Sequence, residues 1–147
     1  MRAIVAHKAC DIVFMHHLGV PVRQSKLIPY NEDPVAHVYQ WAEKRLLELD
    51  IPRERLIFDI GIGYGKTPEQ SLVLLKNISI FKKLGLRLFV GHSRKSFLTQ
   101  FTKESAANRD IETVAISEHL AEQEVDYLRV HHINHHARAL KVQCALA

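Results

Sequence analysis

The 147-residue chain is 47% hydrophobic and 24% charged with a formal charge of +4, which suits one ordinary domain with a real core and argues against disorder. No apolar run reaches the ~18 residues needed to span a bilayer, and polar residues interrupt the start of the chain too early for a secretory signal. The basic residues are scattered and form no arm or stripe, so neither nucleic acid nor a membrane is an expected partner.

Along the chain, residues 3–10 read as the tail of a helix whose preceding strand is missing, so the sequence is expected to begin in mid-domain. Cys10 and Cys144 stand at opposite ends without metal-ligand spacing; reduced thiols acting as small apolar fillers in a cytoplasmic protein are expected. Residues 12–15 form the first apolar run and read as a strand. Asp33-Pro34 then offers an N-cap and first-turn proline, and Val35, Val38, Ala42, Leu46 and Leu49 keep one helical face apolar until Ile51-Pro52. A second strand is expected at 56–58. Thr67-Pro68-Glu69-Gln70 is a capping box, opening a helix through Leu72, Leu75, Ile78 and Phe81 to Gly85. The third strand falls at 86–90. A helix from about Asp110 to Glu122 should turn Ile111, Val114, Ala115 and Leu120 inward. The fourth strand falls at 125–130, and a last helix opens at Asn134. Largely continuous apolar strands alternating with helices predict parallel βα units covered on both faces. Four such units make about half of a TIM-type (β/α)8 barrel, whose usual length is roughly 250 residues.

Polar residues gather where each strand stops: Met15-His16-His17, Asp59, Ser93-Arg94-Lys95-Ser96 and Arg129-Val130-His131. In a parallel barrel these strand ends converge on one mouth, where ligands bind. The glycine-rich run Gly61-Ile62-Gly63-Tyr64-Gly65-Lys66-Thr67 misses Walker A at Ile60 and the dinucleotide fingerprint at Lys66. Gly91-His92-Ser93-Arg94-Lys95 misses a nucleophile elbow at Lys95. Arg94 and Lys95 are better read as a cationic site. His131, His132, His135 and His136 suggest a metal, but His131 ends a strand while His135 and His136 open a helix, with no thiolate or fixed carboxylate beside them in sequence. No metal site is expected, and His131 is kept as an anion donor.

In order, Phe14-Met15-His16-His17-Leu18-Gly19-Val20-Pro21, Phe58-Asp59-Ile60-Gly61-Ile62-Gly63-Tyr64-Gly65-Lys66-Thr67, Leu88-Phe89-Val90-Gly91-His92-Ser93-Arg94-Lys95-Ser96-Phe97 and Leu128-Arg129-Val130-His131 resemble the last four strand ends of dihydropteroate synthase. The resemblance covers essentially the whole chain. It implies the C-terminal part of a pterin-binding barrel over residues 1–147, with the N-terminal half of the barrel absent. It implies a folate-pathway transferase, a sulfonamide target, that joins 6-hydroxymethyl-7,8-dihydropterin pyrophosphate to p-aminobenzoate.

By the same resemblance, Asp59 accepts hydrogen bonds from the pterin, Met15 packs on its ring and Gly91 lets the backbone come close. Lys95 bonds the pterin and borders the aminobenzoate site with Tyr64 and Ser96, and Arg94 belongs to the same motif. Arg129 and His131 hold the pyrophosphate; with Lys95 they are the expected catalytic residues. Magnesium is implied as a cofactor, held by an asparagine of the N-terminal half. The chain departs from the family at Ile60 (usually proline), Tyr64 (commonly phenylalanine) and His132 (often aspartate). A half-barrel exposes strand edges, so a homodimer or a separate N-terminal half-barrel partner is expected. The alternative is a non-catalytic remnant or self-associating half-barrel that at most binds pterin or anions.

Overall fold

The computed structural model describes residues 10–23 and 25–146. Four strands, β1 (Ile12–Met15), β2 (Leu56–Asp59), β3 (Arg87–Val90) and β4 (Tyr127–Leu128), form one sheet in the order β1-β2-β3-β4, every neighbouring pair parallel. Parallel neighbours require a crossover, and helices α1 (Pro34–Glu48), α2 (Pro68–Lys76) and α3 (Asp110–Glu122) lie in the three connections. Helix α4 (Ile133–Leu146) follows β4. Sequential parallel strands with a helix after each are the arrangement of half a (β/α)8 barrel, as the sequence predicts.

Register decides what meets at the sheet's carboxyl edge. Met15 pairs with Asp59, Asp59 with Phe89, and Phe89 with Tyr127. The residues following each strand therefore leave from one line across the sheet.

Successive strand residues face opposite sides. Phe14, Phe58, Leu88 and Val90 belong to or pack against the core beneath the helices, with Phe58 5.0 Å from Phe14 and 5.9 Å from Phe81 between ring centroids. Phe58 is fully buried, so truncating it to alanine would cost about 3–5 kcal/mol. The other face is thinly covered: Val13 is 47% exposed and Met15 and Phe89 are half-buried.

Local chemistry starts the helices as expected. The Asp33 carboxylate accepts from the Val35 and Ala36 N–H groups at 3.0 and 3.4 Å. Both arms of the Thr67–Gln70 capping box form, and the Gln70 amide also donates to the Ile28 carbonyl at 2.9 Å, fixing α2 to the loop between β1 and α1.

Several expectations are corrected. Helix α2 stops at Lys76, where Asn77 caps the Val73 carbonyl with its backbone N–H at 3.2 Å and its side-chain amide at 2.8 Å; a 3₁₀ segment (Ile78–Leu84) carries the chain on to Gly85. Strand β4 has only two residues, since Asp126 Oδ2 accepts the Leu88 N–H at 2.7 Å, where a longer ladder would have offered a carbonyl. In α3, Ile111 and Ala115 are exposed, and the buried stripe is Thr113, Ser117 and Leu120, because the helix must offer polar partners to the buried His92. Cys10 and Cys144 are exposed and fill no core; Cys10 precedes the first strand, and α4 buries only His136. The helix expected over 3–10 lies, save its last residue, outside the described residues. Among the described residues no helix is long and apolar enough to cross a membrane.

Candidate functional site

Asp59 ends β2 and is 4% exposed. Its Oδ1 accepts the Gly61 N–H at 2.7 Å. Gly61 has φ +67°, and a Cβ there would stand 2.0 Å from the His16 carbonyl oxygen, so this turn accepts only glycine. Burial pushes the Asp59 carboxyl above the usual range, while the Gly61 N–H, Lys95, Arg129 and Lys66 favour the charged form. A carboxylate that shares its site with these cations keeps acceptor capacity beyond the one bond to Gly61.

Beneath the glycine turn lies Lys66, whose Nζ donates to His16 Nδ1, the Gly61 carbonyl and the Tyr64 carbonyl at 2.7, 2.9 and 3.1 Å. Burial lowers the Lys66 pKa to about 7, with Asp59 opposing and Lys95 adding to the shift. His16 is driven down to about 3, first by burial and then by Lys66, so its ring stays neutral and accepts from the lysine. The loop is thereby tied from below. Neither His16 nor Lys66 was singled out for the site from sequence; their only signal was position in motifs, and only the fold turns both inward.

Lys95, Arg129 and His131 share one cavity of about 330 Å³, lined also by Gly91, Ser93 and Val130. The Lys95 ammonium donates to the Ile62 carbonyl and lies 4.7 Å from the centre of the Tyr64 ring. Burial lowers its pKa to about 8; Asp59 opposes the shift and Arg129 adds to it. The Arg129 guanidinium sits over Phe89 at 5.7 Å, and a Cβ on Gly91 would come within 2.7 Å of Arg129 Nη2. Gly91 thus makes room for Arg129. Among the described residues no carboxylate forms an ion pair with Lys95, Arg129 or His131, which leaves the two cations and the imidazole for a ligand.

Ser93, which the sequence reading did not select as a site residue, holds His131. The His131 N–H donates to Ser93 Oγ at 3.3 Å, and the same oxygen lies 2.7 Å from His131 Nδ1. When the hydroxyl donates to Nδ1, the ring proton stands on Nε2, the nitrogen left to meet an anion.

The remaining expected residues divide. Met15 lies at the carboxyl end of β1 beside the Gly61 turn, and Tyr64 supports Lys95. Ser96 is exposed at the start of a 3₁₀ segment and does not line the cavity. Arg94, expected at the mouth, turns away: its Nε and Nη2 grip the Asp110 carboxylate at 2.7 and 2.9 Å, and its own N–H donates to Thr113 Oγ1. Asp110 also lies beside His132 and His135, so a carboxylate does accompany these histidines in space, though distant in sequence.

Magnesium prefers carboxylate and phosphate oxygens. At the sheet's carboxyl edge Asp59 already bonds Gly61 and is surrounded by Lys66, Lys95 and Arg129, so these residues do not fit a magnesium ion.

A parallel βα sheet with a buried acid and a cationic pocket at its carboxyl edge has the chemistry of a barrel-mouth site suited to a small anionic, hydrogen-bonding molecule. A model of the pterin binding enzyme family matches residues 1–131, and the chain belongs to that family. It is 38% identical over 146 residues to the folate synthesis bifunctional protein of Chlamydia muridarum, covering 92% of this chain and 32% of that protein. It is 30% identical to the dihydropteroate synthase type-3 of Escherichia coli, covering 97% of this chain and 56% of the relative. Dihydropteroate synthase of Anaplasma phagocytophilum, solved with bound 6-hydroxymethylpterin-monophosphate, superposes with a TM-score of 0.88 at 38% identity, over 99% of this chain and 58% of that one. The Yersinia pestis enzyme, solved with a sulfonamide drug, gives 0.82 at 27% identity over 92% of this chain and 50% of that one. The chain thus spans from a third to just over half the length of these relatives.

Proposed function

We propose that this chain supplies the C-terminal half of a dihydropteroate synthase site, which condenses 6-hydroxymethyl-7,8-dihydropterin pyrophosphate with p-aminobenzoate to give 7,8-dihydropteroate and pyrophosphate. The observation that carries this is the meeting of Lys95, Arg129 and His131 around one cavity beside the buried Asp59. Asp59 accepts from the amino-pyrimidine edge of the pterin through charge-assisted bonds that fix its orientation. Met15 packs on the ring, and Lys95, with Tyr64, borders the aminobenzoate. The amine nitrogen bonds to the pterin methylene carbon as the carbon–oxygen bond breaks. The electron pair departs on pyrophosphate, and the amine loses a proton. Arg129 and His131 stabilise that departing charge, an interaction stronger in the transition state than in the ground state. Magnesium belongs to the proposal only as a companion of pyrophosphate whose protein ligand comes from outside this chain.

The other half of such a site belongs to an N-terminal half-barrel, on the same or another polypeptide, or to a second copy of this chain. Support lies in the groove of about 650 Å³ along β1, lined by Ile12, Val13, Phe14, Trp41, Leu49 and Ile51 among others. Burying such an edge and face stabilises the sheet and removes an association hazard. A non-catalytic remnant that binds pterin or anions is the alternative, favoured by the thin cover over Val13 and Phe89.

Pyrophosphate release from the two substrates decides between them, measured for the chain alone and for the chain supplied with the N-terminal half of a dihydropteroate synthase. Turnover in the supplemented sample supports the synthase. Pterin binding without turnover in both samples supports the remnant, and the absence of pterin binding from both overturns either assignment.

A further inference from the structure

Away from the cavity, α3 and α4 bring together one carboxylate and two imidazoles. Asp110 opens α3, while His132 and His135 flank the start of α4. Asp110 Oδ2 is 3.7 Å from His135 Nδ1 and 4.0 Å from His132 Nε2, and all three ligand atoms lie within 4.8 Å of one another. We propose that Asp110, His132 and His135 form a binding site for a divalent first-row transition-metal ion, separate from the pterin-binding cavity.

The chemistry selects this class of ion. Two nitrogen donors and one carboxylate oxygen suit zinc and its neighbours and do not suit magnesium or calcium, which favour oxygen throughout. Tetrahedral zinc with bonds of about 2.0–2.2 Å needs ligand atoms about 3.3–3.5 Å apart, so the cluster must contract by a few tenths of an ångström at its closest pair and by at most about 1.5 Å at its widest. The two rings are stacked at 4.5 Å with an 11° tilt; each must turn so that its lone pair points at the ion. Side-chain exposures of 53% and 48% leave them room to do so.

Arg94 bears on the site in two ways. Its bidentate grip holds the Asp110 carboxylate in place, as outer-shell partners do for ligating carboxylates. Oδ2 accepts a single bond from Arg94 and retains a second lone pair for the ion. The guanidinium charge also opposes a cation, so the affinity should be moderate rather than that of a closed structural site. His131, immediately before His132, is held by Ser93 at Nδ1 and faces the other cavity, which keeps the two sites chemically distinct.

The test uses the untagged full chain with zinc chloride in isothermal titration and with cobalt(II) in visible absorption. The expected result is one equivalent of zinc per chain and a cobalt d–d band, with affinity at least about tenfold weaker in H132Q/H135Q and unchanged in H37Q. Circular dichroism confirms that both variants fold; His132 and His135 are exposed and His37 is half-buried. No stoichiometric zinc binding, or binding that survives unchanged in H132Q/H135Q, would overturn the proposal. Loss of zinc binding with pyrophosphate affinity intact would separate this site from the proposed synthase function.

Discussion

Ser93 and His131 are joined twice, once through the His131 backbone N–H and once through its Nδ1, both meeting the same serine oxygen. One side chain therefore sets the position of the segment after β4 and, when its hydroxyl donates to Nδ1, the tautomer of the His131 imidazole. Ser93→Ala removes both bonds from a residue that is itself 5% exposed. The expected outcome is a loss of pyrophosphate affinity of about fivefold to tenfold, the equivalent of one net hydrogen bond, with circular dichroism unchanged. Isothermal titration with pyrophosphate checks it, and wild-type affinity in the variant would deny Ser93 its positioning role.

Arg129 has no acidic partner among the described residues and lines the cavity with His131. In the supplemented synthase assay, Arg129→Ala should lower kcat at least about 100-fold, the scale of losing one donor to a developing negative charge. KM for the pterin substrate should change less. A rise in KM with kcat preserved would mean that Arg129 binds both states equally.

Lys95 gives the cavity a pH dependence. Burial brings its pKa down to about 8, so the ammonium is largely charged at neutral pH and neutral above about 9. Pyrophosphate affinity should fall as pH rises through about 8, and titrations from pH 6.5 to 9.5 measure it. In Lys95→Arg, whose guanidinium stays charged throughout, the fall should disappear. A parallel decline in both proteins would assign the titration to another group.

His92 and Ser117 contribute to acid stability, alongside His16. Ser117 Oγ lies 2.9 Å from His92 Nε2 and 2.8 Å from His136 Nδ1, all three residues being buried. Ser117→Ala strands His136 Nδ1, leaves His92 Nε2 with the Thr113 carbonyl alone, and should cost about 1–3 kcal/mol, read from urea unfolding. Burial holds the His92 pKa down to about 4 against 6.5 for a free imidazole. The unfolded chain therefore binds the extra proton first, and this stability is full above pH 6.5 and is lost as pH falls toward 4. His92→Gln should reduce the slope of stability between pH 6.5 and 4, leaving the part owed to His16, and an unchanged slope would deny His92 any share in it.

Much of the site could be read along the chain because its chemistry is local. Asp33-Pro34 and Thr67-Pro68-Glu69-Gln70 start helices through bonds spanning two or three residues, and those bonds hold wherever the segment is packed. Asp59, Lys95, Arg129 and His131 were legible because each stands at or just beyond the end of an apolar run, and parallel strands put such ends on one edge.

Other features depend on which side chains arrive from elsewhere. Arg94 reads as a mouth cation beside Lys95, but Asp110 approaches it from the start of α3 and claims it. Ile111 and Ala115 read as a buried face, but His92 demanded the polar stripe of Thr113 and Ser117 instead. Lys66 reads as one more basic residue until His16 and two carbonyls are folded around it.

By itself the sequence determined the order of strands and helices, the caps, and which residues stand at the sheet's carboxyl edge, since these follow from short-range bonds and hydrophobic period. Only the tertiary structure decided which cations remain unpaired, which histidines meet a carboxylate and which ring nitrogen is left to bind. Charge pairing depends on distance in space, and a carboxylate near in space can be remote along the chain.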